Sequence, residues 1–68
     1  MAYGRSLTAA EWKKAVETLS YNRIAHLPTG DIIIPWVGTY QTTYSLRTDE
    51  GNCVINTWDL ERIKKIVC

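Results

Sequence analysis

The run Ile32-Ile33-Ile34, followed at once by Pro35, constrains this chain more than any other feature. Three consecutive β-branched residues favour extended backbone. In a strand they cannot share a face: Ile32 and Ile34 point one way and Ile33 the other. Both faces of the segment therefore need shelter from water. If Ile32 and Ile34 face helices, Ile33 needs its own cover, from Trp36, a further helix or a partner. Pro35 has no N–H to give to a ladder, so the strand is expected to be an edge or to end there. Gly38 then lets the backbone turn, and the break is expected to form a corner with Trp36 and Val37 at its tip.

The segments around this run have clear local signals. Thr8 and Glu11 have the spacing of a capping box, and Leu7 and Trp12 that of a hydrophobic staple. Trp12, Ala15, Val16 and Leu19 recur at helical period, which predicts a helix from Ala9 to about Ser20. Beyond it the period fails, because Asn22 and Arg23 fall where apolar residues should continue. Asn22–Leu27 then reads either as an extension of the helix to Ala25 or as a strand. The turn residues Leu27-Pro28-Thr29-Gly30 favour the strand, paired back through a hairpin onto Asp31–Ile34.

Tyr40 to Thr48 alternates like a strand, with Tyr40, Thr42, Tyr44, Leu46 and Thr48 on one face and Gln41, Thr43, Ser45 and Arg47 on the other. This pattern assigns Tyr44 and Tyr40 to the core. A turn at Asp49–Asn52 and a short strand at Cys53–Ile55 follow. Asn56 is the expected cap of a last helix, with Trp58 in its first turn and Leu60, Ile63 and Val67 as its apolar stripe. Acidic Asp59 and Glu61 near its start, and Arg62, Lys64 and Lys65 near its end, suit the helix dipole. The expected fold class is α+β: a small antiparallel β-meander of three to four strands, flanked by an N-terminal and a C-terminal helix.

The chain has 68 residues and is read as one domain, residues 1–68. A chain this short buries only about 60% of the surface that its unfolded form exposes. Its eight basic and seven acidic residues give a net charge of +1. That balance argues against an acidic nucleic-acid mimic, and equally against nucleic-acid binding by bulk charge. No stretch has the character of a signal peptide or reaches the roughly 20 apolar residues that span a bilayer. The expected location is the cytoplasm, with no membrane partner. Cys53 and Cys68 lack metal or disulfide-scaffold spacing and are read as free thiols.

Catalytic chemistry finds little purchase. His26 is the only histidine. A pairing with Cys53, oriented by Asp31, can be drawn, but nothing in the spacing requires it. Zinc would need paired ligand spacing that Cys53, Cys68 and His26 lack. Asp49 and Glu50 have the setting of a solvated turn, and the glycines form no phosphate-cradling loop. Neither an enzyme activity nor a cofactor is expected.

Binding remains. Trp36 has no place in the apolar periods, and Trp and Tyr are enriched in binding hot spots. The expected contact residues are Trp36, Val37 and Tyr40 at the corner, with Thr43 and Arg47 on the adjoining strand face. The expected partner is a larger protein or nucleoprotein complex, which the chain would engage as an inhibitor or adaptor. Small proteins without catalytic groups include adaptors, antitoxins and phage-encoded inhibitors, anti-CRISPR proteins among them; the analogy is one of size only. The alternative is direct nucleic-acid contact through Lys13, Lys14, Arg62, Lys64 and Lys65, joined by Arg5 and by stacking on Trp36 or Tyr3, if the helices lie side by side. A homodimer paired through an Asp31–Ile34 edge is compatible with either reading.

Overall fold

The computed structural model describes residues 7–68, so Tyr3 and Arg5 lie outside the described residues. The first helix, α1, spans Ala9–Ser20. Its N-terminus is closed by the expected capping box: the Thr8 N–H donates to Glu11 Oε1 at 2.9 Å, and the Glu11 N–H donates to Thr8 Oγ1 at 3.2 Å. Trp12, Ala15 and Leu19 are buried, as is Leu7 ahead of the cap. The helix stops at a specific device. Asn22 adopts φ +60°, the left-handed conformation that asparagine tolerates better than most residues. The N–H groups of Asn22 and Arg23 donate back to the carbonyls of Leu19 and Thr18, at 2.9 and 3.4 Å. These are the two hydrogen bonds of a Schellman motif.

Four strands follow: β1 (Ala25–His26), β2 (Ile32–Val37), β3 (Thr42–Arg47) and β4 (Cys53–Thr57). They form one antiparallel sheet in sequence order. The strand expected over Asn22–Leu27 is only two residues long, because Asn22 belongs to the helix terminus. The hairpin itself forms as expected. The Gly30 N–H donates to the Leu27 carbonyl at 3.0 Å, and the Leu27 N–H to the Asp31 carbonyl at 2.8 Å. The second helix, α2, covers Leu60–Val67. Its cap is Asp59, whose Oδ1 accepts from the Glu61 N–H at 3.0 Å, and not Asn56. Asn56 lies within β4, which runs two residues past the expected Ile55, so the helix starts later and Trp58 precedes it. Among the described residues no helix is long and apolar enough to cross a membrane.

The register decides which faces are buried. Ile33 pairs with Leu46 and Leu46 with Ile55, while Pro35 pairs with Tyr44 and Tyr44 with Thr57. All of these point to the helix side. Ile33, Leu46 and Ile63 are wholly buried and Val67 nearly so, and they join one core with Trp12, Ala15, Leu19, Ala25 and Leu27. The Ile triplet is therefore oriented oppositely to the arrangement with Ile32 and Ile34 toward the helices: Ile33 is the core residue, while Ile32 and Ile34 are half-buried on the far face. Tyr40, expected in the core, is 98% exposed. β3 starts only at Thr42, and Tyr40 sits in the hairpin loop before it.

Pro35 does not end its strand, since β2 continues through Val37. Gly38 donates to the Gln41 carbonyl at 3.0 Å. Counting back from that bonded pair, Trp36, Ile34 and Ile32 direct their main-chain groups to β3, and Pro35 directs its nitrogen away. On that outer side β1 reaches only Ile32 and Ile33, so Pro35 faces no strand that would need its missing N–H. The Asp31–Ile34 edge imagined for a homodimer is thus largely occupied by β1.

Candidate binding face

Main-chain approaches place α1 over β1 and β2, and α2 over β4. Both helices contribute to the core on one side of the sheet. No described element covers the other side. Alternation and register put His26, Ile32, Ile34, Trp36, Thr43, Ser45, Arg47 and Asn56 on this open face. Trp36 is exposed there, at 55%. Ser45 alone is fully buried, a small side chain flanked across the strands by Ile34 and Asn56. Its hydroxyl lies 3.7 Å from Cys53 Sγ.

The hairpin between β2 and β3 projects beyond β1. Val37 and Tyr40 are exposed on it, and Trp36 stands directly across from Thr43. The turn is tight for a local reason. A Cβ on Gly38 would come within 2.7 Å of the Gln41 carbonyl oxygen, so only glycine closes it without movement. Trp36, Val37, Tyr40 and Thr43 are therefore gathered at one end of the sheet.

Arg47 shares the open face but sits at the other end, across from Ile32. Four residues along a strand separate that row from the Trp36 row, about 13 Å. Its Nη1 donates to the Gly51 carbonyl at 3.2 Å, which holds the guanidinium over the Asp49–Asn52 turn. Its Nε is buried without an acceptor. Beside it the sheet is irregular: Leu46 pairs with Ile55 and Arg47 with Cys53, so Val54 is an extra residue, a β-bulge on the edge strand.

Trp58 is a functional candidate that periodicity does not reveal, because it reads as part of the last helix. It is 64% exposed. It follows Thr57, the last residue of β4, which pairs with Tyr44, at the bend where the chain leaves the sheet for α2. One signal in the sequence does mark this end. The chain carries no Asp, Glu, Lys or Arg from Ile32 through Leu46, nor from Gly51 through Trp58.

The remaining candidates are dispersed. Lys13 and Lys14 are exposed on α1, and Arg62, Lys64 and Lys65 on α2. The two helices lie on the same side of the sheet, α1 over β1 and β2 and α2 over β4. His26 is on β1 and Cys53 on β4, the two outer strands, about 14 Å apart by strand spacing. Asp31 is buried and accepts a hydrogen bond from the Thr29 hydroxyl at 3.2 Å, so the drawn His26–Cys53–Asp31 arrangement does not assemble. Among the described residues no three His, Cys, Asp or Glu side chains converge as metal ligands. A groove of about 220 Å³ runs between α1 and β1, lined by Glu11, Lys14, Thr18, His26 and Pro28 among others. It is smaller than the roughly 300–1,000 Å³ of usual small-molecule sites. Comparison with protein-family models, with curated proteins and with solved structures finds no match to this chain.

Proposed function

We propose that this chain is a non-enzymatic protein-binding module, acting as an inhibitor or adaptor on a larger protein or nucleoprotein complex. The observation that carries the reading is the open sheet face with its projecting hairpin. Trp36, Val37 and Tyr40 expose large apolar surface together at one end, where a lone domain gains nothing by leaving them in water. Aromatic anchors of this kind dominate binding energies in protein interfaces. The comparison with phage-encoded inhibitors such as anti-CRISPR proteins rests on size alone and adds a class of partner to try first.

The test is capture from bacterial lysate with the tagged chain, with and without nuclease, run in parallel with Trp36→Ala. The expected result is a specific protein that survives nuclease and is lost from the variant, while the variant keeps its circular dichroism spectrum. Capture that disappears with nuclease or with added salt would instead favour the basic residues of the helices.

A further inference from the structure

We propose that the groove between α1 and β1 takes up an extended segment of another protein, which adds to the sheet as a strand beside His26 and sets an acidic side chain against Lys14. The inference is separate from the hairpin end of the open face and gives the chain a second contact.

The first observation is an open main-chain pair. β1 is an outer strand, and among the described residues no strand lies beyond it. The Leu27 N–H donates to the Asp31 carbonyl at 2.8 Å, so Leu27 directs its main chain to β2. Directions alternate along a ladder. Ala25 therefore also points to β2, and His26 between them points its N–H and C=O outward. Ile32 agrees from the other side, since it lies opposite His26 and directs its own groups to β3. An antiparallel strand laid along this edge can exchange two hydrogen bonds with His26.

The second is shape. One wall of the groove is a helical stripe, Glu11, Lys14, Ala15 and Thr18; the other is residues 25–28, consecutive along the chain. The His26 side chain points to the open face, so what His26 lends to the groove is the edge of its strand. From Glu11 to Thr18 the helix rises about 10.5 Å. Residues 25–28 run about 10 Å when extended. The two walls agree in length, and that length holds three residues of extended chain. A volume of about 220 Å³ drawn out this far is a slot, which suits a main chain better than a compact ligand. Strand addition at an exposed edge is a general mode of peptide recognition.

The third is charge. A residue laid opposite His26 shares its face, so the residues on either side turn toward α1. There they meet Ala15, which is buried, and Lys14, which is exposed. Glu11 Oε1 already accepts the Thr8 N–H at 2.9 Å, and the Thr18 hydroxyl donates to the Lys14 carbonyl at 3.1 Å. The Lys14 ammonium is the group left to choose an occupant, and it selects a carboxylate. A nucleic-acid strand would need a line of cations, where these walls set one lysine beside a glutamate.

The experiment is titration of the peptide acetyl-Thr-Ala-Thr-Glu-Thr-amide into the full chain, followed by backbone amide NMR. Saturable binding is expected, with shifts centred on His26 and on the Glu11–Thr18 stripe. Methylating the peptide's central nitrogen removes the N–H meant for the His26 carbonyl and should weaken binding at least tenfold. Lys14→Glu should weaken it as much, and should turn the preference to a peptide with lysine in place of glutamate. Lys14 is exposed, so this variant keeps its fold. Absence of saturation at millimolar peptide overturns the proposal, as does binding indifferent to the methyl group or to Lys14→Glu. Free glutamate shifting the same amides would reduce the groove to an anion site and overturn strand addition. A His26 amide that shifts with protein concentration alone would give the edge to a second copy, and overturns it too.

Discussion

Ile33 lies directly across from Leu46, and neither side chain has any contact with water. The pair is the middle of the core, with Ala25 beside Ile33 on one side and Ile55 beside Leu46 on the other. Ile33→Ala or Leu46→Ala is expected to cost about 2–5 kcal/mol, since each leaves a cavity that neighbours fill only in part. Ile32→Ala removes the same atoms from a half-buried site and should cost markedly less. Urea denaturation of the three variants checks the assignment of faces, and equal losses at positions 32 and 33 would contradict it.

Gly38→Ala places a methyl group 2.7 Å from the Gln41 carbonyl oxygen, so the hairpin must shift. A destabilisation of about 1–3 kcal/mol is expected. Gly51→Ala is also expected to destabilise, although nothing lies near its Cβ, because the backbone there has φ +90°. A D-alanine introduced by synthesis separates the two causes: it should be tolerated at position 51, where only the dihedral matters.

Thr8→Ala removes the side chain that accepts the Glu11 N–H and breaks the reciprocal box. Loss of about 1 kcal/mol is expected. Thermal unfolding followed at 222 nm reads it, and Thr8→Ser should recover most of the loss.

Trp36→Ala should change folding stability by less than about 1 kcal/mol, because the ring is more than half exposed. It should weaken partner binding by more than about 1 kcal/mol. A variant that unfolds instead would make Trp36 a cover for Ile34 and remove it from the site.

The parts of this fold that were legible in the sequence are those specified by neighbours in the chain. The Thr8–Glu11 box, the Trp12–Leu19 stripe, the Pro28-Thr29-Gly30 turn and the Leu60–Val67 stripe each act over a few residues, and each appears in place. Facing of the Ile triplet was not legible, because an unbroken apolar run carries no alternation; pairing with Leu46 settles it. Tyr40 continues the β3 pattern on paper, but the Gly38–Gln41 closure ends the strand before reaching it. Asn56 and Asp59 are both good caps, and only the length of β4 chooses between them. At the candidate site, Trp36, Val37, Tyr40 and Thr43 are found together, while Arg47 belongs to the far end. Cross-strand neighbours of this kind depend on register, which no local signal encodes.

Pro35 has a consequence for how this protein behaves when crowded. The stretch of β2 beyond β1 is the most apolar free edge of the sheet, the kind that templates fibril growth by adding strand after strand. A strand arriving there would find a ring where the ladder needs a donor. At the opposite edge, the kink at Val54 puts the backbone out of step with any straight newcomer. The chain can thus leave Trp36 in water while denying its own copies a template for endless stacking.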